Sequence, residues 1–265
     1  LRVNRKNIVN RTLDGKIALV TGAGSGIGHA SALAFARAGA TVVVADMLMD
    51  RCESVVRQIT SEGGRASARQ CDVRDAQQID ALFAAILDTY GRLDCAFNNA
   101  GIGGPIMPLA DYPDAAWADV IGTNLTSVFH CMKHEITQMV KQGGGMIVNC
   151  ASVTGLTGMR GMPVYCASKH GILGMTKSAA LDYAQLGVRI NAVCPGVIRT
   201  PAVDEWMEKD PQAASEFMRQ MVASEPIGRL GTPDEVASAV VWLCSPGASF
   251  MIGHGLAVDG GYMAQ

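Results

Sequence analysis

Ile17-Ala18-Leu19-Val20-Thr21-Gly22-Ala23-Gly24-Ser25-Gly26-Ile27-Gly28 carries an apolar run directly into four glycines spread over seven positions. The run is apolar on both faces, as a strand covered by helices on each side must be. Beyond the glycines, Ile27, Ala30, Ala34 and Ala38 recur at helical spacing until Gly39 ends the pattern. The segment therefore reads as strand, tight turn, helix. Glycines in such a turn let the backbone fold back sharply, and they let a pyrophosphate reach the N–H groups at the positive end of the helix. The spacing is TGxxxGxG rather than GxGxxG, because Ile stands at 27 and His at 29.

The next apolar run, 41–45, ends at Asp46, eighteen residues beyond Gly28. An acid at that place accepts hydrogen bonds from both hydroxyls of an adenosine ribose and repels a 2′-phosphate. No Arg or Lys lies inside the glycine loop, and Met47 and Leu48 follow the acid. Together these favour NAD over NADP; the alternative use of Asp46 is as an N-cap of the next helix.

Further apolar runs fall at 93–98, 146–151, 188–194 and 256–259, with a weaker strand at 65–71. Between them Ile79, Leu82, Phe83, Ile86, Leu87 and Tyr90 form one apolar helical stripe. About seven strands alternating with helices predict an α/β fold, a doubly wound parallel sheet with right-handed crossovers. An eight-stranded barrel would need another strand–helix unit. No internal repeat, low-complexity tract or linker divides the 265 residues. The expected organisation is one domain over 14–265, behind an extension at 1–13 that carries Arg2, Arg5, Lys6 and Arg11 without the apolar stretch of a secretory signal.

Composition excludes several classes. A net charge of −2 gives no reason to expect binding to nucleic acid or an anionic membrane. No apolar run reaches the ~20 residues of a membrane helix. Hydrophobic residues make up 49% and charged residues only 17% of the chain, below the ~25% typical of globular domains. That deficit points to surface buried between subunits. The eight cysteines are dispersed, without a CxxC pair, and most sit in apolar runs. They read as reduced thiols in a cytoplasmic protein.

The densest chemistry lies mid-chain. Ser152 follows the 146–151 strand, at the carboxyl edge where open α/β sheets hold ligands. Thirteen residues later comes Tyr165-Cys166-Ala167-Ser168-Lys169, and with Pro163 in the first turn of a helix, Tyr165 and Lys169 share a face at i,i+4. A free tyrosine, pKa ~10, is a poor base near neutrality. A cation ~6 Å away at an effective dielectric of ~20 supplies ~3 kcal/mol, or ~2 pKa units. A Tyr-x-x-x-Lys pair by itself occurs on many surface helices.

In combination these pieces resemble the short-chain dehydrogenase/reductase superfamily over roughly residues 14–263. The matching pieces are Thr21 to Gly28, Asp72-Val73, Asn98-Asn99-Ala100-Gly101, Asn124, Ser152, Tyr165 with Lys169, and Pro195-Gly196 with Thr200. The closing Gly253-His254-Gly255-Leu256-Ala257-Val258-Asp259-Gly260-Gly261 also resembles the family's last strand, with His254 where many members carry Gln. The resemblance implies a Rossmann-type single domain and a hydride transfer between a nicotinamide and a secondary alcohol or ketone. By the same resemblance Tyr165 exchanges the alcohol proton and Ser152 hydrogen-bonds the reacting oxygen. Lys169 binds the nicotinamide ribose, and Asn124 holds a water that joins Lys169 to a proton relay. Gly22, Ser25, Gly26, Ile27 and Gly28 line the pyrophosphate, with Asp46 at the ribose and Asp72 and Val73 at the adenine. Asn99, Ala100 and Gly101 form the cofactor floor, and Pro195, Gly196, Ile198 and Thr200 engage the carboxamide or phosphates.

Around the reacting carbon the expected residues are Ile102, Val153, Thr154, Leu156, Met159, Met162 and Val197, under a lid with Trp206, Met207, Phe217, Met218 and Met221. Such a pocket suits a medium-sized, apolar or cyclic substrate. Two other readings stay open: an NADPH-dependent reductase of 3-oxoacyl thioesters on an acyl carrier, and a non-catalytic nucleotide-binding regulator on the same fold. His130 and His134 share a helical face, but no third ligand accompanies them and no metal site is expected. Expected partners are a small-molecule alcohol or ketone and further copies of the chain, as a homotetramer or dimer.

Overall fold

The structure is a computed structural model that describes residues 11–209, 215, 219 and 222–265. Seven strands form one sheet in the order β3-β2-β1-β4-β5-β6-β7, and every pairing is parallel. They are β1 (Ile17–Thr21), β2 (Thr41–Asp46), β3 (Arg65–Gln70), β4 (Cys95–Asn98), β5 (Gly145–Cys150), β6 (Val188–Pro195) and β7 (Gly255–Val258). Among the described residues the α-helices are α1 (Gly26–Arg37), α2 (Met49–Ser61), α3 (Ala76–Tyr90), α4 (Asp114–Ile121), α5 (Ser127–Lys141), α6 (Pro163–Tyr183), α7 (Pro201–Lys209) and α8 (Pro233–Leu243). The chain leaves β1 toward β2 and later returns to β4 on the other side of β1. That reversal is the switch point at which a doubly wound sheet opens a ligand crevice.

Two-sided burial explains why the strands read as continuous apolar runs. Leu19, Val43, Ala96, Ile147 and Ile190 face one layer, with Phe83, Met139 and Ile172 from α3, α5 and α6. Their neighbours Ala18, Val20, Val42, Val44, Phe97 and Val148 face the other, with Phe35, Ile59 and Val240 from α1, α2 and α8. Period-two alternation is thus intact, but both phases are buried. The strand expected to be weak, β3, is a sheet edge with exposed or half-buried residues throughout.

Local chemistry sets the helix ends. Asp75 caps α3 by accepting from Gln77 N and Gln78 N, and Gly91 closes it in the left-handed region at φ 69°. Thr232 and Glu235 form a capping box at the start of α8. Two boundaries depart from the sequence reading. Leu13, assigned to the extension, is 1% exposed, and its N–H donates to Ala38 O, so the core begins one residue earlier. Leu93 and Asp94 precede β4 rather than open it, because the Asp94 carboxylate is turned in to accept from Ile17 N at 2.9 Å and from Arg92. Residues 1–10, with most of the extension, lie outside the described residues, as do Phe217, Met218 and Met221 of the expected lid.

All eight cysteines are free and buried. No described helix is long and apolar enough to cross a membrane.

Candidate active site

The glycine turn is stitched to the end of β4. Asn99 Nδ2 donates to Thr21 O at 3.0 Å and to Gly22 O at 3.1 Å, while Asn99 N donates to Thr21 Oγ1 at 3.0 Å. Ala100 N reaches the same hydroxyl at 3.3 Å. A Cβ on Gly28 would lie 2.1 Å from Gly22 O and 2.6 Å from Asn99 Nδ2, so only glycine lets the first turn of α1 approach β1 this closely. Ser25 is the N-cap of α1 but makes no side-chain cap bond, which leaves the leading N–H groups facing the crevice. An uncapped helix N-terminus beside a turn of alternating glycines fits a dinucleotide pyrophosphate. Thr200, just before α7, faces this turn: a Cβ on Gly26 would be 3.2 Å from its Cγ2.

At the adenosine end, Asp46 Oδ2 accepts from Gly24 N at 3.0 Å and Oδ1 from Leu48 N at 3.1 Å. The N-cap of α2 is Leu48, so the capping alternative for Asp46 does not describe the structure. Each carboxylate oxygen keeps a further lone pair for a ribose hydroxyl. Arg51 lies beside it: a Cβ on Gly24 would be 2.8 Å from Arg51 Cβ and 2.9 Å from Asp46 Oδ2. Arg51 is five residues beyond Asp46, outside the glycine loop and the Met47-Leu48 pair on which the NAD preference rests. Asp72 accepts a fork from Arg74, with Nη2 to Oδ2 at 2.8 Å, and that hydrogen-bonded guanidinium holds its carboxyl below the usual range. Val73 beside it is buried.

Ser152, Tyr165 and Lys169 converge at the carboxyl ends of β4 and β5. Ser152 caps a short 3-10 turn, Val153–Gly155. Its Oγ accepts from Thr154 N at 3.2 Å, leaving the O–H free to donate. Pro163 opens α6, as expected, and brings Tyr165 and Lys169 onto one face. Lys169, almost fully buried, donates from Nζ to Cys150 O at 2.7 Å and stands 5.4 Å from the centre of the Tyr165 ring. Gly155, unnoticed in the sequence, makes this possible: a Cβ there would sit 2.8 Å from Lys169 O.

Asn124 lies in a single π-turn, Gly122–Thr126, between α4 and α5, a wider turn of the kind that recurs at functional sites. Its side chain clamps Ile102 in both directions, Oδ1 from Ile102 N at 2.8 Å and Nδ2 to Ile102 O at 2.9 Å. Nδ2 also donates to Ser168 Oγ at 3.2 Å, and Ser168 Oγ donates to Tyr165 O at 2.7 Å. The amide donors are spent on protein, so contact with a relay water is left to the carbonyl groups of Asn124. Gly101 adjoins the cluster, since a Cβ there would be 3.2 Å from Asn124 Oδ1 and 3.6 Å from Lys169 Nζ.

Below the crevice, Gly196 N donates to Val258 O and Val197 N to Glu225 Oε1, and Ile198 bridges Gly231. Together these contacts brace the segment that runs from Pro195, at the end of β6, to Thr200. Ile102 and Leu156 face solvent at the opening, and Met159, Met162 and Val197 are half-buried. Val153 and Thr154 are buried in the 3-10 turn that Ser152 caps. Ile106 joins the wall unpredicted, because Met107 N donates to Gly161 O and holds the 102–107 segment against 156–162. Of the two basic residues nearest in sequence, Arg160 is exposed and Arg199 pairs with Asp204 at 3.0 Å. His134 pairs with Asp80 and stacks on Phe83, and His130 meets Phe129 edge-on, away from this cluster.

Residues 22–263 match the family described as Enoyl-(Acyl carrier protein) reductase. The chain is 41% identical to cyclohexanol dehydrogenase of Acinetobacter sp. (strain SE19), covering 98% of this chain and 100% of that one. It is 42% identical to cis-4-hydroxycyclohexanecarboxylate dehydrogenase of Sinomonas cyclohexanicum, covering 94% and 97%. Among solved structures, actinorhodin polyketide ketoreductase with NADPH superposes with a TM-score of 0.88 at 38% identity, covering 93% of this chain and 97% of that one. The chain belongs to the short-chain dehydrogenase/reductase superfamily.

Proposed function

We propose that this enzyme oxidises a cyclic secondary alcohol to its ketone with NAD. The observation that carries the reading is the buried Lys169 ammonium, 5.4 Å from the Tyr165 ring and hydrogen-bonded to Cys150 O two residues before Ser152, with Ile102, Ile106, Leu156 and Met162 on the neighbouring loops. The nicotinamide, when bound, supplies the hydride acceptor. Tyr165 takes the hydroxyl proton in oxidation and returns it in reduction. The free O–H of Ser152 donates to the reacting oxygen and stabilises its developing charge. Lys169 engages the nicotinamide ribose and keeps its ammonium beside the Tyr165 ring. The relatives' names, cyclohexanol and cis-4-hydroxycyclohexanecarboxylate dehydrogenases, add a six-membered ring to the apolar walls as the substrate class.

NAD is favoured by the Asp46 carboxylate. At ~5 Å and an effective dielectric of ~20, its repulsion of a phosphate charge is ~3 kcal/mol, about two orders of magnitude. Arg51 supports the second reading, an NADPH-dependent ketoreductase of the acyl-thioester kind, because its Cβ adjoins the Gly24 turn that Asp46 grips, and a long cationic side chain rooted there can reach a 2′-phosphate. The presence of Ser152, Tyr165 and Lys169 argues against a non-catalytic regulator. The eight buried thiols accord with a reducing, cytoplasmic setting. We assign a homotetramer as the working assembly, on the low charge content and the exposed Leu181, Phe250, Trp117 and Phe129.

Initial rates with NAD and NADP, over cyclohexanol, cyclohexanediols, hydroxycyclohexanecarboxylates and linear secondary alcohols, test this directly. The expected result is kcat/KM at least ~10-fold higher with NAD and highest on rings. Preference for NADPH together with 3-oxoacyl thioesters would replace it with the second reading.

A further inference from the structure

We infer that Glu135 is held un-ionised in the core, paired head to head with Asn98, and that through Asn98 and Asn149 it is a positioning residue tying α5 to the carboxyl ends of β4 and β5. Its role in the active site rests on the dinucleotide reading above; its protonation state does not.

Glu135 is completely buried. Its Oε2 accepts from Asn98 Nδ2 at 3.0 Å. The same Nδ2 donates to Asn149 Oδ1 at 3.0 Å, and Asn149 Nδ2 donates to Thr176 Oγ1 at 2.9 Å. Two acceptors in this network lack a partner, Glu135 Oε1 and Asn98 Oδ1. They belong to two groups that already share a hydrogen bond. A carboxylate has no proton to offer and would leave both unsatisfied, besides placing a bare charge in an apolar layer. A carboxylic acid has one, and Oε1–H donating to Asn98 Oδ1 resolves both atoms with a single proton.

Among the described residues no cation opposes this. The titratable neighbours are the thiols of Cys131, one turn earlier on α5, and Cys71, which faces Cys131 from the end of β3. Asp80 of α3 pairs with His134 at the surface. Asn98, Asn149 and Thr176, from β4, β5 and α6, are uncharged. Burial pushes the Glu135 carboxyl up to about 8, against the opposing hydrogen bond from Asn98.

The network touches the site through the chain itself. Asn98 immediately precedes Asn99, which grips the glycine turn. Asn149 immediately precedes Cys150, whose carbonyl receives Lys169. An ionised Glu135 loses its bond to Asn98 Oδ1, and the two strand ends lose their common brace. The sign follows from linkage. The folded pKa lies above the ordinary 4.5, so the folded state binds the extra proton between these values. Stability from this group is therefore full below ~4.5 and falls as pH rises through ~8.

The test compares the full-length wild type with Glu135→Gln and Glu135→Leu. Glutamine keeps an acceptor for Asn98 Nδ2 and supplies an N–H for Asn98 Oδ1 without a titration. Infrared difference spectra at pH 6.5 should contain the carbonyl band of an un-ionised carboxylic acid that Glu135→Gln lacks. Wild-type Tm should fall by at least ~3 °C more than that of Glu135→Gln between pH 6.5 and 9. NAD affinity, read by fluorescence titration, should weaken at least ~3-fold over that range in the wild type, stay flat in Glu135→Gln, and be poor throughout in Glu135→Leu. Identical infrared spectra, or parallel Tm profiles for wild type and Glu135→Gln, would overturn the protonated pair. An acid band with matching affinity profiles would overturn the positioning role. The spectra and Tm need neither cofactor nor turnover, so failure of the functional reading leaves them decisive.

Discussion

Tyr165 is held by three separate means: Lys169 lies 5.4 Å from its ring, Ser168 Oγ donates to its carbonyl, and Pro163 starts its helix. If it is the proton-exchanging group, removing its hydroxyl should cost general acid–base catalysis alone. Tyr165→Phe is expected to lower kcat by ~10²–10⁴-fold while leaving the Kd for the cofactor within about 2-fold. Stopped-flow hydride transfer with equilibrium cofactor titration separates the two, and wild-type turnover would remove Tyr165 from the chemistry. Residues of this kind were legible because their logic is local: a four-residue helical spacing and a strand end are written in neighbouring letters. Arg51, Gly155 and Ile106 were not, and neither were the clamps of Asn124, whose partners are 22 and 44 residues away. Their meaning exists only once the sheet has brought distant segments together.

At the scale of elements the strands were legible for one physical reason, burial on both faces, and the edge strand β3 read weakly for the complementary one. What the pattern did not reveal is how α8 is anchored. Arg189, near the start of β6, donates from Nη1 to Leu243 O at 2.8 Å and Ala248 O at 2.9 Å, and from Nη2 to Ser245 O at 3.1 Å. One guanidinium thus satisfies carbonyls at and beyond the negative end of the helix. Burial lowers its pKa, yet it stays charged because guanidinium pKa values lie so far above neutrality. Arg189→Met preserves length and volume but leaves those carbonyls without a donor. It is expected to lower unfolding stability by about 2–4 kcal/mol in urea titrations. Because Arg189 sits at the amino end of the sheet and the candidate site at the carboxyl end, kcat should stay within about 2-fold. A fall in kcat without a fall in stability would contradict this division of labour between the two ends.

For the whole molecule, the 17% charge content leaves large apolar side chains at the surface, and the exposed Trp and Phe among the described residues fall in two groups away from the site opening. One lies along β7, which among the described residues pairs with β6 alone and forms a sheet edge. There Phe250 is fully exposed, Leu181 near the end of α6 is 80% exposed, and Trp242 lies near the end of α8. Gly253 lies against Lys177 and Ala180, so the 250–253 segment runs along the last turns of α6. The other place is on α4 and α5, where Trp117 and Phe129 are exposed. A single self-complementary face closes a dimer, whereas two independent faces generate a tetramer with two kinds of two-fold interface. Composition alone raised the expectation of assembly, but it left dimer and tetramer open because it does not say whether surface leucines and aromatics form one patch or two. Light scattering at micromolar concentration should therefore give the mass of four chains for the wild type. Leu181→Glu combined with Phe250→Asp places charges on the β7 face only, and should stop assembly at two chains while keeping the α4–α5 pairing. A monomeric wild type would refute the tetramer outright. If the double variant still formed tetramers, assembly would not depend on the β7 face.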